Sequence, residues 1–215
     1  GQGRFWDSGL GSNWVVSADR ERNVAELETL IDAARAARFD AVKLQLKSSA
    51  PGGYNAREDL SLPMDPPSPF RSRAEFVRAR EPDARLLIRA SDFAAARSMT
   101  LSASPWDLAS VDLLATAIPA VPWVKVASAS LTDHELLRRI RASLPAAVVV
   151  ASTGMSTEEE IDASVEVLGT ERLVLMYAVA AYPADDRDFD LSQIERMSRR
   201  YGVPVGLSSH ARGPA

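Results

Sequence analysis

The stretch VKVASASLTDHELLRRIRASLPAAVVVAST, residues 124–153, decides the fold. It begins with a short apolar run, continues through a helical segment over 132–143, and ends in a second apolar run over 147–152. A strand, a helix and a strand in this order predict two parallel strands joined by a crossover helix. Similar units recur along the chain, so the sequence predicts an α/β protein built on parallel strands.

Seven apolar runs predict the strands, and amphipathic or capped segments predict the helices between them. We expect strands near residues 4–10, 41–46, 99–104, 123–128, 147–152, 172–179 and 203–208. We expect helices after the polar stretch 19–23, over 107–114, over 132–143, from 156 to 168 and over 191–201. In the helix from 156, Ser156 and Glu159 have the spacing of a capping box, and Gly169 ends the helix.

One segment, residues 48–80, interrupts the alternation with five prolines and two glycines, which predicts a long excursion on the active-site side. Seven strand candidates, with no Gly-x-Gly-x-x-Gly motif after the first, favour a closed barrel over an open sheet. We therefore expect a single domain over residues 1–215, a (β/α)8 TIM barrel that lacks its eighth βα unit.

The composition excludes several classes of protein. The chain has 215 residues, with 25 Lys or Arg, 29 Asp or Glu and a net charge of −4, which argues against nucleic-acid and membrane-surface partners. The absence of Cys excludes a disulfide framework, thiol catalysis and a cysteine zinc site. No apolar run reaches the roughly 18 residues of a membrane span, and residues 1–5 lack the features of a signal peptide. We therefore expect a cytoplasmic protein.

Polar side chains occur in and after the predicted strands, where a barrel carries its chemistry. They are Lys43, Gln45, Ser102, Ser104, Lys125, Ser128, Ser152, Thr153, Ser208, Ser209 and His210. A lysine inside a strand needs an anion, so the two lysines with nearby hydroxyls predict a phosphate or carboxylate site. Two alternatives stay open: a lysine that reaches water at the sheet edge, and a Schiff-base nucleophile. His134 falls in the first turn of a helix, where we expect no chemical role.

Six motifs in fixed order carry a family resemblance. They are Asp40 to Gln45 (DAVKLQ), Ser104 to Asp107 (SPWD), Lys125 to Ser128 (KVAS), Ser152 to Met155 (STGM), Tyr182-Pro183, and Gly206 to His210 (GLSSH). With these motifs the chain resembles the N-acetylneuraminate (sialic acid) synthase family, which includes spore-coat polysaccharide, legionaminate and pseudaminate synthases. The resemblance covers nearly the whole chain.

The resemblance implies a (β/α)8 barrel that condenses phosphoenolpyruvate with an amino-sugar aldehyde to a nonulosonic, sialic-acid-like acid and releases phosphate. It also implies a divalent metal, manganese or magnesium, and a homodimer. We expect the antifreeze-like domain that usually follows the barrel to be absent here. The resulting prediction is a phosphoenolpyruvate-dependent transferase that forms a carbon–carbon bond.

The family motifs assign roles to ten residues. Asp7, Lys43 and Lys125 are predicted to be catalytic, with Asp7 standing where the family has a glutamate. His210 resembles the first metal ligand. The predicted substrate-binding residues are Gln45, Ser104, Ser128, Ser152, Tyr182 and Ser208.

Departures from the family pattern cluster outside this anion-binding set. Residues 11–14 replace an Asn-His-Asn-Gly run, Ser130 replaces a glutamate, and residues 177–181 replace a His-Cys-Thr-Ser type run. The second metal histidine would follow Ala215. Because the changes are selective, we expect an altered sugar acceptor. The alternative is a noncatalytic barrel that binds a phosphorylated ligand or a partner subunit.

Overall fold

The structure, a computed structural model, describes residues 5–64 and 66–211, apart from the side chain of Arg57. Strands and helices alternate, and every strand pair is parallel, which confirms the α/β class. The chain divides into two compact units, Gly1–Val121 and Pro122–Ala215. Each unit has its own sheet. Within the described residues, every helix is too short or too polar to cross a membrane.

The first unit contains a three-stranded sheet in the order β1-β2-β3. Its strands are β1 (Asp7–Gly11), β2 (Ala41–Leu46) and β3 (Thr100–Pro105). Its helices are α1 (Arg20–Ala36), α2 (Arg73–Arg80), α3 (Ala84–Ala95) and α4 (Leu108–Ala117), with a short 3-10 helix at Asn55–Arg57.

Alternation along β2 separates a core face from a polar face. Val42, Leu44 and Leu46 are at most 1% exposed, whereas Lys43 and Gln45 between them are half-buried. Successive strand residues point to opposite faces, so the three apolar side chains form the core side of the strand. The predicted site residues of β2 therefore lie on the other face.

The second unit contains a four-stranded sheet in the order β4-β5-β6-β7. Its strands are β4 (Trp123–Val126), β5 (Val148–Ser152), β6 (Leu173–Ala178) and β7 (Val205–Ser208). Its helices are α5 (His134–Ser143), α6 (Glu158–Leu168) and α7 (Ser192–Tyr201), with 3-10 helices at Ser128–Ser130 and Asp186–Asp188. Val124, Val126, Val149, Ala151 and Leu175 are fully buried and form its apolar face.

The sequence located all seven of these strands, with ends that differ by up to three residues. Residue 4 of the first predicted strand lies outside the described residues. The predicted capping box was wrong by one position: Thr157 accepts from Glu160 N, and Glu160 accepts from Thr157 N. Ser156 instead donates its backbone N–H to Thr153 O in the preceding turn. The predicted helix end at Gly169 is confirmed, with a φ of +67°.

Two helices of the first unit were not assigned from the sequence. The predicted excursion, 48–80, ends in α2, where Ser72 Oγ caps the helix by accepting from Glu75 N. The helix α3 follows it directly and buries Leu86, Leu87 and Ala90. Each helix begins beyond the last proline of its region, so the breakers mark only the loop before them.

Tyr201, the last residue of α7, donates a hydrogen bond from its hydroxyl to Asp162 Oδ1 at 2.9 Å. Burial and the Asp162 carboxylate raise the pKa of Tyr201 from 10.0 to about 12. The folded protein therefore holds this proton more tightly than the unfolded chain does. The resulting stabilisation is complete below pH 10.0 and is lost as the pH rises toward about 12.

In an alkaline titration followed by phenolate absorbance, we expect one of the four tyrosines to ionise near pH 12. Tyr201→Phe should remove that step. Asp162→Asn should move the step toward the ordinary tyrosine range, because it removes the carboxylate that disfavours the phenolate. If the late step stays in place in both variants, the contact between Tyr201 and Asp162 is contradicted.

Candidate functional site

In the first unit, four predicted polar residues lie side by side on β2 and β3. Lys43 is in register with Ser102, and Gln45 is in register with Ser104. Paired residues of parallel strands point to the same face, so all four share one face of the sheet. Both serines are buried, whereas Lys43 and Gln45 are half-buried. The face therefore presents one ammonium, one amide and two hydroxyl groups.

Gly9 of β1 makes room for the Lys43 side chain. Gly9 is the register partner of Lys43, and a Cβ on Gly9 would lie 3.0 Å from Lys43 Nζ. The ammonium thus lies directly above the glycine backbone. A side chain at this position would displace it.

Asp7, predicted to be catalytic, is the first residue of β1 and is in register with Ala41. The register pair of Gly9 and Lys43 follows two residues later. Asp7 is therefore on the same face as Lys43 but nearer the amino end of the strand. Its catalytic role stays a prediction.

Asp107, which belongs to the SPWD motif, ties the start of the excursion to α4. Its Oδ1 accepts from Ser110 N at 2.8 Å and so caps the helix. Its Oδ2 accepts from Ser48 N at 2.9 Å and from Tyr54 N at 2.8 Å. The residue is 7% exposed. One buried carboxylate thus fixes the loop that follows β2, a role that the sequence did not reveal.

In the second unit, Lys125 and Ser152 are in direct contact. Lys125 Nζ donates to Ser152 Oγ at 2.5 Å and to Val126 O at 2.8 Å. The lysine is 8% exposed and the serine 3%. These contacts place one strand-end hydroxyl, that of Ser152, against the strand lysine, and the anion site stays a prediction. An ammonium held this way is oriented before any ligand arrives.

The carboxyl ends of the second sheet place Ser128, Ser208 and two small residues in one row. A Cβ on Gly154 would lie 3.0 Å from Ser128 Oγ and 3.2 Å from Ala178 O. Ala178 is in turn the register partner of Ser208. The row therefore runs from Ser128 through Gly154 and Ala178 to Ser208, with hydroxyl groups at both ends. The sequence alone did not indicate that Gly154, which has no Cβ, leaves room for Ser128 Oγ and Ala178 O.

Tyr182 and His210 come together beyond the ends of β6 and β7. Their ring centroids are 4.3 Å apart at an angle of 45°. Ala184 N donates to His210 O at 3.0 Å, which joins the two loops. Tyr182 is 74% exposed, so this pair lies at the surface of the unit.

The metal prediction rests on His210. Among residues 5–64 and 66–211, no group of three or more His, Cys, Asp or Glu side chains is arranged to hold a metal ion. Binding of manganese or magnesium at His210 therefore stays a prediction. His134, for which we expected no chemical role, is the first residue of α5, as predicted.

Two residues at positions that depart from the family pattern have structural contacts. Tyr177 OH accepts from Asp190 N at 3.0 Å, ahead of α7. Ser130 is buried, and its N–H donates to Ala127 O at 2.9 Å.

Beside Tyr177, a cleft of about 230 Å³ opens between the ends of β5 and β6 and the helices α6 and α7. Met155 at this cleft is 73% exposed and has a φ of +71°.

The strands are parallel, two of them carry lysines, and serines lie at their carboxyl ends. These features define the chain as an α/β protein with a predicted anion site. The model of the NeuB family matches residues 30–215, so the chain belongs to the NeuB family. This result confirms the resemblance found in the motifs.

Among curated proteins, the chain is similar to a pseudaminic acid synthase of Campylobacter jejuni, with 33% identity over 92 residues. That match covers 41% of this chain and 26% of the relative. The spore coat polysaccharide biosynthesis protein SpsE of Bacillus subtilis is 27% identical over 195 residues, covering 86% of this chain and 49% of the relative. The chain thus matches about half of the length of SpsE and about a quarter of the length of the pseudaminic acid synthase.

Among solved structures, the fold is similar to an N-acetylneuraminic acid synthetase of Leptospira borgpetersenii. The TM-score is 0.78 at 22% identity, and the match covers 97% of this chain and 66% of the other. At this identity the similarity establishes the fold alone.

Proposed function

We propose that this chain is part of a phosphoenolpyruvate-dependent synthase that makes a nonulosonic acid. In the proposed reaction, phosphoenolpyruvate and an amino-sugar aldehyde form a new carbon–carbon bond, water is consumed and phosphate is released. Family membership and the synthase names of the relatives support the reaction class. They do not favour the noncatalytic alternative.

The observation that carries the proposal is the contact of Lys125 with Ser152 beside the row that ends in Ser128 and Ser208. A buried ammonium with neutral hydroxyl donors nearby suits a phosphate or carboxylate. We assign these four residues to phosphoenolpyruvate binding. From the family motif, we assign Lys43, Gln45 and Ser104 of the first unit to the same substrate.

We also propose a barrel for the fold. The similarity to the Leptospira synthetase over 97% of the chain supports a (β/α)8 barrel. A role for Tyr182 in substrate binding, manganese or magnesium binding at His210, a homodimer and a cytoplasmic location stay predictions. No step of the proposed reaction is assigned to the metal.

The direct test measures phosphate release from phosphoenolpyruvate across a panel of N-acylated and unmodified aldoses. We expect release with at least one aldehyde and none without an acceptor. Mass spectrometry should find a product with the summed carbon atoms of both substrates. A folded chain that binds no phosphoenolpyruvate and releases no phosphate with any acceptor would contradict the proposal.

Substitution of Gly9 tests the position of the Lys43 ammonium. A Cβ on Gly9 would lie 3.0 Å from Lys43 Nζ, so Gly9→Val should push the ammonium from its place. We expect the KM for phosphoenolpyruvate to rise by about tenfold, the loss of one well-aligned charged hydrogen bond. Gly9→Ala should give a smaller increase, since the end of a lysine side chain can shift. An unchanged KM in Gly9→Val would argue against a role for Lys43 in binding.

A further inference from the structure

The chain uses lysine at three positions only. It has 3 lysines and 22 arginines, so nearly all of its cationic side chains are guanidinium groups. Lys43 and Lys125 already belong to the predicted site. The third lysine, Lys47, follows β2 directly.

Lys47 continues the polar side of β2. Lys43, Gln45 and Lys47 are half-buried, while the residues between them, Leu44 and Leu46, are at most 1% exposed. The alternation of strand faces thus places Lys47 in line with two predicted substrate-binding residues. It lies at the carboxyl end of the strand, where parallel sheets bind ligands.

Two aromatic rings hold the Lys47 ammonium in place. Lys47 Nζ lies 4.1 Å from the centroid of the Tyr54 ring and 4.4 Å from that of Trp106. The two rings contact each other edge to face at 5.1 Å. The faces of both rings attract the cation, but neither ring neutralises its charge.

The charges that act on Lys47 come from two cations, Arg80 and Arg73, and from one carboxylate, Glu58. Among residues 5–64 and 66–211, no carboxylate forms an ion pair with Lys47. Glu58, the carboxylate whose charge acts on Lys47, pairs with Arg80 and, at 3.0 Å, with Arg73, while the Asp107 carboxylate near the cage accepts from Ser48 N and Tyr54 N. Burial, followed by the charge of Arg80, lowers the pKa of Lys47, and Glu58 opposes this only in part. The half-buried Lys47 ammonium therefore has no carboxylate within ion-pair distance among the described residues.

We propose that Lys47 is a third functional lysine, which binds a carboxylate or phosphate group of the sugar acceptor. The inference rests on the proposed function, because it assigns a negative charge to the second substrate. An anion on the open side of the cage would neutralise the charge of Lys47, which no described carboxylate pairs with. The aromatic rings would keep the ammonium aimed at that side.

Selective labelling of the lysine ε-carbons with ¹³C provides the test, because the intact chain should give three signals, one per lysine. Lysine-to-arginine variants at positions 43, 47 and 125 assign them. The probes are glucose 6-phosphate, glucuronate and neutral glucose. We expect at least one anionic sugar to move the Lys47 signal and raise its titration midpoint, and glucose to have no effect. Movement with glucuronate alone identifies a carboxylate site, and movement with glucose 6-phosphate alone identifies a phosphate site.

Phosphoenolpyruvate in the same experiment separates this inference from the proposed function. It should move the signals of Lys43 and Lys125 and leave that of Lys47 in place. If it moves neither of the first two, the proposed function is contradicted, while the anionic sugars still decide the role of Lys47. A Lys47 signal that phosphoenolpyruvate moves, or that both anionic sugars leave unmoved, overturns the inference.

Matched variants add a second readout. Lys47→Met keeps the apolar stem in the cage and removes the charge, so we expect affinity for the anionic sugar to fall by about ten- to a hundredfold. Lys47→Arg should retain most of it. Arg78→Met removes an exposed charge from α2 and should change affinity by less than about twofold. Unfolding temperature checks that each variant folds, and a folded Lys47→Met with unchanged affinity overturns the inference.

Discussion

Lys125→Met should lower the rate of phosphate release from phosphoenolpyruvate by about a hundredfold or more, the effect typical of removing one preorganised charge-stabilising donor. Lys125 is 8% exposed, and its ammonium is oriented by Ser152 Oγ and Val126 O. Water reaches so buried a position poorly, so solvent cannot replace the lost charge. The measurement is kcat/KM for phosphoenolpyruvate at a saturating concentration of the acceptor.

Three companion variants make this result specific. Arg138→Met removes an exposed cation from α5 and should leave the rate within about twofold of the parent. Ser152→Ala removes one orienting group and should cost less than the loss of the charge. Lys125→Arg should remain impaired, because a guanidinium does not reproduce the geometry of an ammonium. Activity of Lys125→Met equal to that of Arg138→Met would show that Lys125 does not act on the substrate.

Asp107→Ala should lower the free energy of unfolding by about 3 kcal/mol or more, since it removes a helix cap and leaves two further donors unsatisfied. The carboxylate accepts from Ser110 N in α4 and from Ser48 N and Tyr54 N in the excursion. No neighbouring side chain that we describe takes over these three contacts. Urea unfolding followed by circular dichroism measures the change.

Asp133→Ala is the matched control for this substitution. Asp133 caps α5 by accepting from Leu136 N at 3.0 Å and makes no comparable loop contact among the described residues. Its removal should cost about 1 kcal/mol, the usual value for a cap. Equal losses in the two variants would mean that the bonds from Asp107 to the excursion add nothing to stability.

The strands were predictable because the signal for each one is local. In the second unit, Val148–Ser152 is a run of β-branched and small residues bounded by a proline and a glycine, and the structure forms β5 there. The helix α3 was missed although its sequence has a clear apolar side. This helix directly follows a segment rich in proline and glycine. Those residues obscured the apolar periodicity of the helix.

The candidate site was predictable where burial of a residue type costs free energy. Lysine within a strand is such a case, and Lys125 indeed contacts a strand-end serine. Lys47 was not identified, because a lysine that directly follows a strand is an ordinary feature of a sequence. Only the rings of Tyr54 and Trp106, which come from two separate segments, mark it as unusual.

The sequence by itself determined the strands, all of the α-helices except α2 and α3, and the family, and it predicted an anion site from the lysines in the strands. These features depend on residue type and on spacing within one segment, so no long-range contact is required to detect them. The tertiary structure decided which side chains meet. The contact of Lys125 with Ser152, the bonds from Asp107 to Ser48 and Tyr54, and the contact of Lys47 with Trp106 join residues 27 to 59 positions apart. Such contacts depend on strand register and loop path, which no local pattern encodes.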